Sequence, residues 1–89
     1  MKRIAIHVTG KVQGVFYRAH TEKTARRIGL RGFVRNEDDG SVYIEAQGTQ
    51  EQLDELVEWC KRGPDRAVVK DVVVKDLSIG TETSFSIHR

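Results

Sequence analysis

Gly32-Phe33-Val34-Arg35-Asn36-Glu37-Asp38-Asp39-Gly40-Ser41-Val42-Tyr43-Ile44-Glu45-Ala46-Gln47 is the stretch that decides how this chain folds. Asp39-Gly40 is a hairpin signal, because this pair accepts the backbone of a tight turn between antiparallel strands. After it, Val42, Ile44 and Ala46 alternate with Tyr43, Glu45 and Gln47, the period of a half-buried strand. Before it, Phe33 and Val34 begin a strand for the later one to pair with.

On either side of this hairpin lies a helix and then a further strand. Residues 18–29 hold no proline, and no glycine before Gly29, which is placed to end a helix carrying Ala19, Ala25 and Ile28. Upstream, Ile4, Ile6 and Val8 alternate with Ala5, His7 and Thr9 as a first strand, and Gly10 to Gly14 reads as a loop. Downstream, Leu53, Leu56, Val57 and Cys60 fall at helical spacing among acidic residues, and Gly63-Pro64 stops that helix. Val68 to Val74 gives a fourth strand, and Phe85 with Ile87 a short fifth. The resulting plan is α+β: a ferredoxin-like βαββαβ sandwich, with an antiparallel sheet, two helices on one face and a short C-terminal strand.

Composition limits what such a chain does. Its 89 residues fit one domain over 1–89, with 38% apolar and 31% charged residues, an ordinary globular balance. Fifteen basic against 13 acidic residues leave +2, too small an excess to announce a nucleic-acid or membrane partner. A single cysteine excludes a disulfide framework, and an alternating N-terminus without a long apolar run excludes a signal peptide or span there. A cytoplasmic monomer is the expectation. His7, His20 and His88 share no metal-ligand spacing, so neither a metal nor another cofactor is expected.

Chemistry concentrates in Gly10-Lys11-Val12-Gln13-Gly14-Val15-Phe16-Tyr17-Arg18. A glycine-containing loop that feeds a helix N-terminus presents unpaired main-chain N–H groups where the helix dipole is positive, and phosphate suits that site best. Arg18 alone would be a solvated helix residue; beside this loop it adds a permanent charge and a fork of donors. A glycine at position 14 keeps a side chain away from the anion. A nucleotide-binding loop of the Gly-Lys-Ser/Thr type is excluded, because Val12 follows Lys11. A cysteine-dependent phosphatase is excluded as well, because Val12 stands where the thiolate would precede the arginine. Asn36, near the end of the second strand, can hold and orient a water, but a carboxamide does not titrate and is no general base. His20 reads as a structural residue, Trp59 as partly buried core and Cys60 as an inert buried thiol. Arg26, Arg27, Arg31 and Arg35 read as a solvated basic stretch.

Gly10-Lys-Val-Gln-Gly-Val-Phe-Tyr-Arg18, Gly29-Leu-Arg-Gly-Phe-Val-Arg-Asn36 and Asp39-Gly40-Ser-Val42 together resemble the acylphosphatase family over nearly the whole chain. The resemblance implies a small cytoplasmic hydrolase of acyl phosphates that releases a carboxylate and inorganic phosphate. By position it implies that Arg18 and the main-chain amides of Val15, Phe16, Tyr17 and Arg18, with Gly14, cradle the phosphoryl group. Asn36 would orient the attacking water, without a metal or a covalent intermediate. The Arg89 carboxylate is a candidate partner of Arg18 in the free protein. Two other readings share the fold: a noncatalytic phosphate or acyl-phosphate sensor, and an RNA-binding sheet. Against the second stand a lone Tyr43 on the third strand and the negative charge of Glu45.

Overall fold

The computed structural model describes residues 1–88. In chain order the elements are β1 (Lys2–Lys11), α1 (Tyr17–Ile28), β2 (Arg31–Asn36), β3 (Val42–Gly48), α2 (Gln50–Arg62), β4 (Val68–Leu77) and β5 (Phe85–Ile87). The five strands form one sheet in the order β4-β1-β3-β2-β5, with both helices on one face. β1, β2, β3 and β4 pair antiparallel, but β5 lies parallel to β2, with Phe85 opposite Gly32 and Ile87 opposite Val34. The four strands of the expected antiparallel sheet are all found, and the parallel β5, whose direction the sequence left open, makes the whole sheet mixed. The chain returns from β4 along residues 78–84 and enters the far edge in the same direction as β2.

Alternation decides which residues meet the helices. Ile4, Ile6 and Val8 of β1 face Val42, Ile44 and Ala46 of β3 in register, and Val34 of β2 joins them. These side chains are buried with Leu53, Leu56 and Cys60 of α2 and Phe85 of β5. Burial pushes the Cys60 thiol up to about 12, so it is no thiolate at neutral pH.

α1 buries Tyr17, Thr21 and Ala25, at i, i+4 and i+8, whereas Ala19 is exposed. Of the stripe read from the sequence, Ala25 is buried and Ile28 packs against the core, and only Ala19 falls outside it. Thr21 is able to be core because its hydroxyl donates to the Tyr17 carbonyl at 2.8 Å. The helix ends at Gly29, whose N–H returns to the carbonyls of Ala25 and Arg26. α2 begins with a capping box: Thr49 Oγ1 accepts from the Gln52 N–H, and the Gln52 side chain accepts from the Thr49 N–H. Gln52 Nε2 also donates to the Ile28 carbonyl at 3.0 Å, which ties the two helices together where α1 ends.

The other sheet face carries Arg3, Phe33, Arg35, Tyr43 and Glu45. Arg3 is buried between Glu45 at 2.8 Å and Glu82 at 2.9 Å, and so fastens residues 78–84 to the sheet. The Phe33 ring is covered by a stacked His88 ring, centroids 4.4 Å apart. Arg35 lies over Tyr43 at 4.7 Å and pairs with Glu37. The basic stretch is dispersed in the same way, since Arg26 pairs with Glu22 and Arg27 with Glu55.

Candidate active site

At one end of the sheet the chain leaves β1, crosses residues 12–16 and enters α1. Two anchors hold this loop. Gln13 Nε2 donates to the carbonyls of Glu37 at 2.7 Å and Ser41 at 2.9 Å, on either side of the β2–β3 turn. Tyr17 is buried, with its hydroxyl donating to the Cys60 carbonyl at 2.8 Å and its ring 5.2 Å from that of Trp59. Burial pushes the Tyr17 hydroxyl far up, so it acts as an anchor and not as an acid.

Between the anchors the backbone turns twice into left-handed conformation, at Gly14 with φ 75° and at Phe16 with φ 62°. A side chain at Gly14 would meet no protein atom within 4 Å, so it is the backbone angle that asks for glycine there. Phe16 has no such freedom; an L side chain in this region costs roughly 1–2 kcal/mol. It is also the helix N-cap, with no side-chain capping bond, and its ring is exposed.

Among the described residues, no N–H of residues 14–19 donates to another residue; the first bond of the helix runs from the His20 N–H to the Phe16 carbonyl. A helix N-terminus leaves its first amides without intrahelical partners, and here no side chain takes them up.

Arg18, half-buried, stands at the same end and makes one long contact, Nη1 donating to the His88 carbonyl at 3.4 Å. No acidic side chain of the described residues lies within salt-bridge distance of it. The expected pairing with the Arg89 carboxylate falls outside the described residues. Asn36 is the last residue of β2 and pairs with Val42. Two residues beyond the core side chain Val34, it points to the helix face and reaches the loop rather than the open side of the sheet. Its carboxamide bonds to no other described residue.

One cavity of about 280 Å³ gathers these parts, lined among others by Gln13, Gly14, Phe16, Arg18, Asn36 and Ile87. Gly14, Phe16, Tyr17, Arg18 and Asn36 thus share one concavity, while the Val15 side chain is buried beneath the loop. Sequence reasoning placed Gln13 in the loop but missed the use of its side chain. Its acceptors lie 24 and 28 residues away, and no local pattern reveals such a pairing. His20 differs from expectation: it is exposed and makes no side-chain hydrogen bond among the described residues. Chemically, the concavity offers an array of N–H donors, a guanidinium and a neutral amide, a set that fits a tetrahedral oxyanion with a water beside it.

Known proteins share this arrangement of chain. The acylphosphatase family model matches residues 4–87. A protein named acylphosphatase from Methylococcus capsulatus is 43% identical over all of this chain and 98% of its own length. Another from Marinobacter nauticus is 57% identical over 79% of this chain and 76% of its own. Among solved structures, the acylphosphatase of Bacillus subtilis superposes with a TM-score of 0.97 at 37% identity, each chain covered in full. Loop, hairpin and both helices lie inside the matched span, and the chain belongs to the acylphosphatase family.

Proposed function

We propose that the protein hydrolyses the carboxyl–phosphate bond of acyl phosphates, releasing a carboxylate and inorganic phosphate. The observation that supports this reading is that Gly14, Phe16, Tyr17, Arg18 and Asn36 line one cavity, beside N–H groups of residues 14–18 that donate to no other described residue. The amides of Val15, Phe16, Tyr17 and Arg18 hold the phosphoryl oxygens, and the Arg18 guanidinium neutralises their charge. Asn36 holds a water in line with the bond to be broken. The water oxygen bonds to phosphorus as the bond from phosphorus to the carboxylate oxygen breaks, its electron pair leaving with the carboxylate. A substrate oxygen, on the phosphoryl group or the departing carboxylate, takes the water's proton.

This economy suits the reaction. The leaving group is a weak base, and phosphoryl transfer passes through a loose transition state in which positioning and charge neutralisation supply most of the help. No protein nucleophile is required, consistent with a Cys60 thiol held up near 12 in the core. Hydrolysis of benzoyl phosphate by the purified protein, with a chelator present, tests the reading. Turnover is expected. Retained phosphate binding without turnover would make the protein a noncatalytic sensor.

Gln13 acts here as a positioning residue, since it fixes the loop against the strand end that carries Asn36. Gln13→Ala is expected to lower kcat about 10-fold through that lost alignment. It is also expected to lower unfolding stability by about 1–3 kcal/mol, because two partly buried carbonyls lose their donor. Steady-state kinetics alongside urea unfolding separates the two effects.

A further inference from the structure

β4 forms a long open edge. It stands first in the sheet order, so among the described residues its ladder is paired on one side only, with β1. The opposite edge is the three residues of β5. Natural sheets blunt such an edge with proline, bulges, cover or scattered charge. β4 holds no proline, and its one shift of register lies near its start, between the partners of Thr9 and Gly10. Asp71 to Leu77 therefore run as an unbroken strand, with Val73 45% and Val74 42% exposed at its middle.

The main chain of this edge is ready to pair. The Val72 N–H donates to the Asp71 carboxylate at 3.0 Å, a local bond that marks an amide facing away from β1. Alternate residues of a strand turn their N–H and C=O to the same side, so Val74 and Asp76 face outward with it.

The side chains say what the edge pairs with. Lys70-Asp71-Val72-Val73-Val74-Lys75-Asp76 complements its own reverse about Val73. Antiparallel pairing of two copies about that residue sets Asp71 opposite Lys75, Lys70 opposite Asp76, Val72 opposite Val74 and Val73 opposite itself. Residues directly opposite share a face, so a two-fold axis through a continuous sheet must fall on a residue. Centring on Val72 sets Asp71 against Val73, and centring on Val74 sets Lys75 against Val73. Centring on Asp71 or Lys75 puts like charges face to face. Only the register about Val73 matches apolar with apolar and every charge with its opposite.

We propose that the partner of β4 is a second copy of this chain, joined edge to edge in that register. The two sheets become one. Val72 and Val74 exchange main-chain hydrogen bonds across the axis, and the Val72 N–H leaves the Asp71 carboxylate for a carbonyl of the other copy. Asp71 and Lys75 then meet at the closely spaced positions of the ladder, where cross-strand side chains interact most. The contact is small for a protein pair, so the dimer dissociates on dilution. This departs from the monomer expected from the sequence. It is independent of the hydrolase reading, since no residue of β4 lines the cavity at Arg18.

Sedimentation of the full chain over a range of concentrations tests it. The wild type is expected to pass from monomer to dimer as concentration rises. Asp71→Lys and Lys75→Asp alter exposed side chains, and each alone sets like charges opposite one another at both ends of the contact. Each is expected to raise the dissociation constant by about tenfold or more, with circular dichroism unchanged. Mixed in equal amounts, the two variants complement each other and are expected to dimerise where neither does alone. A wild type still monomeric at about 1 mM overturns the proposal and leaves the edge to the strand of a different protein. A dimer that neither variant weakens overturns it too, as does a mixture of folded variants that stays monomeric. Hydrogen exchange followed by NMR needs no variant. The Val74 amide is expected to gain protection as the wild type is concentrated, and exchange that ignores concentration overturns the pairing.

Discussion

Arg18→Ala is expected to lower kcat/KM for benzoyl phosphate by roughly 1000-fold or more, the scale on which an arginine acts at a transferring phosphoryl group. The charge is needed both when phosphate is held and when the bond breaks, so binding and turnover fall together. The dissociation constant for inorganic phosphate is expected to rise by roughly 10- to 100-fold, as for the loss of one charge-assisted hydrogen-bond donor. Stability should change by less than about 0.5 kcal/mol, because a half-exposed side chain with one long contact to the His88 carbonyl holds little of the fold. Arg18→Lys keeps the charge and loses the fork, so it should recover phosphate binding in part and turnover less. Titration calorimetry with phosphate, beside kinetics on each variant, is the check. Phosphate affinity that survives Arg18→Ala unchanged contradicts the assigned role.

Asn36→Ala is expected to split the two quantities instead. Its carboxamide is assigned to the water and not to the phosphoryl group. By analogy with the loss of one preorganised donor in an oxyanion site, about 3–4 kcal/mol, kcat should fall by about 100- to 1000-fold. Phosphate affinity and KM should stay within about twofold, the sign of an interaction made only in the transition state. A rise in KM with kcat untouched would instead make Asn36 a substrate-binding residue and leave the water without its guide.

The fold was legible where one face of an element is apolar. Ile4, Ile6 and Val8 of β1 and Leu53, Leu56 and Cys60 of α2 announced themselves by period, and those are the side chains found buried. α1 was harder, because its inward face uses Tyr17 and Thr21, polar types that become core only after their hydroxyls find carbonyls. The direction of β5 was not legible either. Three residues carry no mark of parallel pairing, which is set by the path of residues 78–84 under Arg3.

At the candidate site the loop was readable from glycine, arginine and a following helix, since these set the local backbone geometry that leaves its N–H groups unengaged. The approach of Asn36 was readable in part, because it falls near the end of the second strand, where strand ends and loops can meet. The clasp of Gln13 on the β2–β3 turn was not. It joins segments far apart in sequence, and only the closed sheet brings them together.

The edge position of β5 has a consequence for how the molecule comes into being. Ile87 completes the rim of the cavity and the His88 carbonyl receives Arg18, yet both follow every other described element in the chain. A ribosome delivers the loop, the strand end with Asn36 and both helices first, and domains settle as units once their parts have emerged. The nascent polypeptide therefore carries the loop and the end of β2 early, and the wall of the cavity that Ile87 lines is complete only when β5 has paired with β2.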